Sequence, residues 1–109
     1  MVDKSQLMRG TLEGCILKII SLEVTYGYEI MEKLTEYGFK DVKEGTIYPL
    51  LIRLEKKKLI SSEFKASPLG PSRKYYTITD DGEETLKSFE EYWKTVSRTV
   101  NSILNLQGE

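Results

Sequence analysis

Residues 46–58 run Thr46-Ile-Tyr-Pro-Leu-Leu-Ile-Arg-Leu-Glu-Lys-Lys-Lys58, and two patterns are laid over each other there. At 100° per residue, Ile47, Leu50, Leu51 and Leu54 fall on one side. Tyr48, Pro49, Ile52, Arg53 and Lys56 fall on the other. The stretch predicts a helix with an apolar back and a basic, aromatic front. Thr46 is expected to cap it, with Pro49 in the first turn, where a missing N–H costs little.

Beyond Leu59 the hydrophobic period changes from 3.6 to 2. Residues 60–64 and 74–79 are β-prone and bracket a Pro/Gly tip, Ser67-Pro-Leu-Gly-Pro-Ser72, which predicts a two-stranded hairpin. Upstream, Ile30, Leu34 and Tyr37 mark a helix that stops at Gly38, and Thr25-Tyr26-Gly27 reads as a break before it. Leu12, Cys15, Ile16, Ile19 and Ile20 make a helical stripe over residues 5–23, with Gly10 and Gly14 inside it. Those glycines suit either close helix packing or a helix held by tertiary contacts. Tyr76 and Tyr28 are expected in the core.

Downstream, Thr79 is expected to cap a last helix whose first turn holds Asp80, Asp81, Glu83 and Glu84. Its apolar residues Leu86, Phe89, Trp93, Val96, Val100 and Ile103 are spaced 3, 4, 3, 4, 3, an a/d seam over nearly three heptads. A helix of about 40 Å outreaches the small unit before it, so the seam asks for a partner chain. The expected class is mainly α with a small β-hairpin. A winged helix-turn-helix over residues 1–79 is followed by a long C-terminal dimerisation helix over 80–109.

The chain has 109 residues, enough for one small domain, and contains no histidine. That removes Ser-His-Asp and Cys-His arrangements, most zinc sites and the usual base near pH 7. No glycine-rich phosphate loop or metal-ligand spacing replaces them, so neither an enzyme, a metal nor a cofactor is expected. Glu83, Glu84, Glu90 and Glu91 read as a solvated helix face. Cys15 lies on an apolar stripe and reads as a small buried hydrophobe. With one cysteine, no apolar run above three residues and no leader pattern, the expected location is cytoplasmic and off the membrane.

A formal net charge of −1 argues against a nucleic-acid binder until its distribution is considered. Residues 53–74 carry seven basic groups against Glu55 and Glu63, while both flanks are net acidic. The basic block spans the end of the third helix and the hairpin. In a winged helix-turn-helix these are the parts that meet DNA, one in a major groove and the other on the backbone beside it. Arg53, Lys56 and Lys57 enter the expected contact set from the wheel and this charge count.

Five segments closely resemble the PadR family of bacterial transcriptional regulators. They are Leu7-Met-Arg-Gly-Thr-Leu-Glu13, Tyr26-Gly-Tyr-Glu-Ile30, Glu44-Gly-Thr-Ile-Tyr-Pro-Leu-Leu51, Arg53-Leu-Glu55 and Gly70-Pro-Ser-Arg-Lys-Tyr-Tyr76. The resemblance implies a repressor that dimerises through its C-terminal helix and one N-terminal helix. It also implies release from DNA by a small molecule, phenolic acids in some members and planar lipophilic drugs in others. Thr46 and Tyr48 match the start of the family's recognition helix, Arg73, Lys74 and Tyr75 its wing, and Tyr26 a backbone-approaching position. Lys58 stands where the family commonly has glycine, which implies a less sharply turned helix end.

Leu86, Phe89, Trp93, Val96, Val100 and Ile103 are therefore the expected dimer interface. Trp93 reads first as dimer packing. The resemblance adds a sharper possibility, an aromatic sandwich for a flat effector walled by Met8, Leu12, Phe89 and Val96. The expected whole is a homodimeric repressor on a pseudo-palindromic operator of double-stranded DNA, released by a small aromatic or lipophilic effector. The alternative is a winged-helix protein-interaction module that never touches DNA; the basic block counts against it.

Overall fold

The computed structural model describes residues 4–40, 42–67 and 69–106. Pro68 of the expected hairpin tip, Asp41 and the outermost residues of both expected units lie outside the described residues. The order is α1 (Lys4–Leu22), β1 (Thr25–Tyr26), α2 (Gly27–Tyr37), α3 (Glu44–Lys56), β2 (Ile60–Ser67), β3 (Gly70–Ile78) and α4 (Asp80–Ile103). The sheet is antiparallel in the order β1-β3-β2. What reads in sequence as a mere break at Thr25-Tyr26 is a third strand. Its two residues pair Thr25 with Tyr76 and Tyr26 with Tyr75, too short a run to show a period.

The core joins Leu12, Ile16, Leu17 and Ile20 of α1 to Ile30 and Leu34 of α2 and to Ile47, Leu51 and Leu54 of α3. Ile60, Tyr76 and Leu86 close it from the sheet and from α4. Gly14 shows why α1 carries a glycine: a Cβ there would fall on the Phe89 ring of α4. At Gly10 a Cβ would meet nothing within 4 Å, so close packing explains one glycine and not the other.

Three expectations fail at helix ends and edges. Helix α3 begins at Glu44 behind Lys43, so Thr46 is its third residue and caps nothing. Pro49 is then the sixth residue, past the first turn, and withholds an N–H from the Gly45 carbonyl. Tyr28 is 52% exposed because it lies off the Ile30–Leu34 side of α2, and Tyr37, on that side but the last residue of the helix, is 82% exposed. Tyr76, by contrast, is buried.

The end of α3 corrects a fourth. Lys58 takes φ 63°, the left-handed conformation that glycine adopts freely. Its N–H donates to the Glu55 carbonyl at 2.9 Å and that of Leu59 to the Leu54 carbonyl at 3.0 Å. These bonds close the helix as sharply as glycine would, at the steric cost of a Cβ. Lys58→Gly should therefore stabilise the fold by about 1 kcal/mol, read as a melting temperature a few degrees higher; an unchanged or lower one would contradict this account. Lys58 is also where α4 is fastened, since its carbonyl accepts from Thr79 Oγ1 at 2.7 Å.

Candidate nucleic-acid interface

With Ile47, Leu51 and Leu54 turned into the core, α3 leaves Tyr48, Ile52, Arg53, Lys56 and Lys57 at the surface. Leu50, expected inward, is only half-buried at the helix flank. The Tyr48 ring leans on Gly27 at the start of α2, where a Cβ would come within 2.7 Å of its hydroxyl. Between α3, the head of α2 and β3 lies a cleft of about 460 Å³. Tyr26, Tyr28, Tyr48 and Ile52 form its aromatic and aliphatic wall, and Ser72, Arg73 and Lys74 its polar one. A roomier hollow of about 780 Å³ beside α2 is edged by Glu32, Glu36 and Glu44, charges that would repel a polyanion.

Strand register builds a ladder of rings and cations beside the cleft. Tyr26 is paired with Tyr75, their ring centroids 5.4 Å apart and edge to face at 67°. The Arg73 guanidinium lies 4.6 Å from the Tyr26 centroid, and Lys65 Nζ 5.4 Å from that of Tyr75. Lys65 is opposite Arg73 across the hairpin. Stacking on a ring holds a guanidinium still while leaving its N–H edges for phosphate oxygens. Tyr75 sits on the other side of β3 from Tyr76 and lines a separate hollow with Val24 and Lys65.

Two expected contact cations are engaged within the chain. Arg53 Nε is 3.2 Å from Glu13 of α1, and Lys74 Nζ is 3.1 Å from Glu55. Glu55 also accepts from Ser62 Oγ at 2.5 Å, so one carboxylate of α3 holds both strands of the wing. Lys56, Lys57, Lys65 and Arg73 have no ion pair among the described residues. Lys65 and Glu55 are what sequence reasoning missed. Lys65 was countable as charge, but its place opposite Arg73 needs the hairpin register, and the Glu55 contacts are nonlocal.

The hydrogen bond from Ser62, with Lys74 behind it, holds the Glu55 carboxyl below the usual carboxylate range against a partial burial that works the other way. A lowered folded-state value means stability that is present above the ordinary carboxyl range and lost as pH falls through the folded value. Glu55→Gln should melt a few degrees lower at neutral pH, less than about 1 kcal/mol for a partly exposed pair. The gap should close as pH drops from about 5 towards 3; a gap that persists there would mean packing, not charge, holds the wing. Burial first and the Glu55 charge second push the Tyr76 phenol up.

The C-terminal stripe divides. Leu86 is buried in the chain's own core and Phe89 is seated on Gly14. From Trp93 onward the stripe is covered only in part, with Trp93 48%, Val100 44% and Ile103 77% exposed and Val96 half-buried. Met8 and Leu12 line a small hollow of about 210 Å³ with Arg9, Thr46 and Leu50. Burial raises the Cys15 thiol above its ordinary range. Among the described residues no acidic or sulfur cluster could hold a metal, and no helix is long and apolar enough to cross a membrane.

A helix-turn-helix with a β-wing and a cationic cleft between them defines a winged-helix protein. The chain is 58% identical to a PadR-like transcriptional regulator of Bacillus cereus, whose crystal structure matches with a TM-score of 0.83 over 96% of this chain and 100% of that one. A Streptococcus transcriptional regulator is 44% identical, with a TM-score of 0.81 over 90% and 96% of the two chains. An uncharacterised protein of Lysinibacillus sphaericus is 35% identical over 90% of this chain and 92% of its own. The family model of the PadR-like transcriptional regulators matches residues 16–88. The chain belongs to the PadR-like family of transcriptional regulators, and it is a DNA-binding regulator rather than an enzyme.

Proposed function

We propose that the protein is a homodimeric, cytoplasmic repressor that binds a pseudo-palindromic operator. The observation that carries this reading is the α3–wing cleft, where Arg73 and Lys74 face an uncharged wall of Tyr26, Tyr28, Tyr48 and Ile52. Exposed Lys56 and Lys57 stand at the end of α3, and Lys65 is opposite Arg73 on the wing. Helix α3 enters the major groove, with Tyr48 and Thr46 near its leading end. Arg73 and Lys65 take phosphates beside it, and Tyr26 and Tyr75 hold them in place. Lys74 and Arg53 reach the backbone only in exchange for Glu55 and Glu13, so they contribute less than the uncommitted cations.

The second copy covers the stripe from Trp93 to Ile103. A small aromatic or lipophilic effector enters at Trp93, with Phe89 and Val96 as walls. Release follows from different affinity of the effector for dimers that do and do not fit the operator. The joint that carries the movement is short: Lys58 ends α3 and accepts from Thr79, the residue that starts α4.

The test is fluorescence anisotropy on labelled duplex from upstream of the protein's own gene, against a scrambled duplex, over a salt series. Tight binding, a clear preference over the scramble and a steep salt slope are expected. Shifting the two half-sites by half a helical turn should abolish tight binding, because symmetric reading heads reach only one face of the duplex. A phenolic acid or planar aromatic that quenches Trp93 emission should weaken the complex. No binding to either duplex at low salt would sink the reading.

A further inference from the structure

We propose that the recognition helix reads sequence through the 5-methyl groups of thymine, with Ile52 as the residue that meets them. The inference rests on the DNA-binding reading above and adds which base edge is read and by what. Opposite the buried side of α3, the outermost ridge runs Gly45, Pro49, Ile52, Lys56, all four exposed. Ile52 leaves 56% of its surface in water.

Nothing in the fold asks for this ridge. A Cβ on Gly45 would meet nothing within 4 Å, yet glycine in a helix costs stability against alanine. Pro49 stands past the turn where proline is harmless. An aliphatic side chain left in water at the middle of the same line gains little for folding. Three choices unfavourable to the free protein lie on one ridge, and they make sense if something is seated there.

Charge and chemistry say what. Lys56 ends the ridge, Lys57 lies beside it, and Arg73 edges the cleft that Ile52 lines, an arrangement suited to a polyanion. Before Lys56 no side chain on the ridge donates or accepts a hydrogen bond, so the amide, carboxylate and guanidinium readouts of adenine, cytosine and guanine are missing from it. Of the polar neighbours nearest Ile52, Tyr48 leans onto Gly27 and Arg53 is paired with Glu13, while Thr46 lies at the far end of the helix. What remains is apolar contact, and the apolar group on a base edge in the major groove is the thymine methyl. Gly45 and Pro49, bare and flat, let the helix settle deep enough for Ile52 to reach it.

Duplexes selected by the full chain from a random-sequence pool are the probe, each remade with deoxyuridine for every thymidine. This removes the methyl groups and keeps the base pairing. The wild type should bind the thymidine form about tenfold or more tighter, from a factor of about four per buried methyl in each of two half-sites. Ile52→Ala should bind both forms alike, near the wild-type affinity for the deoxyuridine form, with its salt slope unchanged because no phosphate contact is lost. Lys56→Ala should do the reverse, flattening the salt slope and keeping the thymidine preference. Equal wild-type affinity for the two forms, or a preference that survives in folded Ile52→Ala, overturns the proposal and leaves DNA binding standing. Selection of no duplex at all overturns both.

Discussion

Gly82→Ala should lower the melting temperature by roughly 10–20 °C, a loss of about 3 kcal/mol. Gly82 is the third residue of α4, and its N–H is capped by Thr79 Oγ1 at 3.0 Å. The same hydroxyl donates to the Lys58 carbonyl, and the Thr79 N–H donates to that of Leu59 at 3.1 Å. These bonds draw the first turn of α4 down onto the turn that ends α3. A Cβ on Gly82 would fall on the Leu59 carbonyl oxygen and come within 2.6 Å of Ile78 Cγ1. One obstacle is backbone and the other a stiff β-branched side chain, so neither can swing away. Against a total stability of about 5–15 kcal/mol for a domain of this size, such a loss is readily seen in a thermal melt. Thr79→Val, which removes both side-chain bonds without a clash, should cost only about 1–2 kcal/mol. A Gly82→Ala chain that melts within a few degrees of wild type would show that α4 can lift from the turn at little cost.

The contrast between Gly82 and Thr79 also marks what was legible in the sequence. Thr79 followed by Asp80, Asp81 and Glu83 is a local signature, and the cap it predicts is the one found. The three-helix, wing and long-helix order was legible for the same reason: periodicity and turn residues act over a few positions. Gly82 carries no such mark, because the backbone it avoids, at Leu59, is twenty-three residues away in the chain. Thr46 misled because a good capping residue stood three places inside a helix that Lys43 begins without a side-chain cap. Lys58 misled in the other direction. The helix takes its left-handed closing turn there whether or not the residue is glycine, since Leu54, Leu59 and Thr79 all depend on that turn.

The candidate site was half legible. The front of α3 and the wing cations followed from a wheel and a charge count. Which cations stay uncommitted did not, because Glu13 and Glu55 reach Arg53 and Lys74 from other elements. Nor did the ladder of Tyr26, Tyr75, Arg73 and Lys65, since the strand that brings Tyr26 to Tyr75 is two residues long.

Trp93→Glu should reduce the protein to a monomer by sedimentation and weaken operator binding by about a hundredfold or more. Helix α4 holds 24 residues, so it is about 36 Å long, and only its first part is packed on α1. Phe89 on Gly14 and the Lys18–Glu90 pair at 3.7 Å are the contacts near the end of that packing. Beyond them Trp93, Val96, Val100 and Ile103 run down one stripe that their own chain covers only in part. In the proposed dimer a second copy buries this stripe, and a carboxylate at its centre would be desolvated without a partner in both chains at once. Joined heads gain the second half-site at high effective concentration, and separated heads lose that gain without losing any contact of their own. The salt slope per bound chain should accordingly stay near the wild-type half-value, because the cations of the cleft are untouched. Trp93→Phe should keep the dimer and the operator while changing the response to a flat aromatic effector. A Trp93→Glu chain that still sediments at twice the chain mass would place the interface elsewhere, and the effector slot with it.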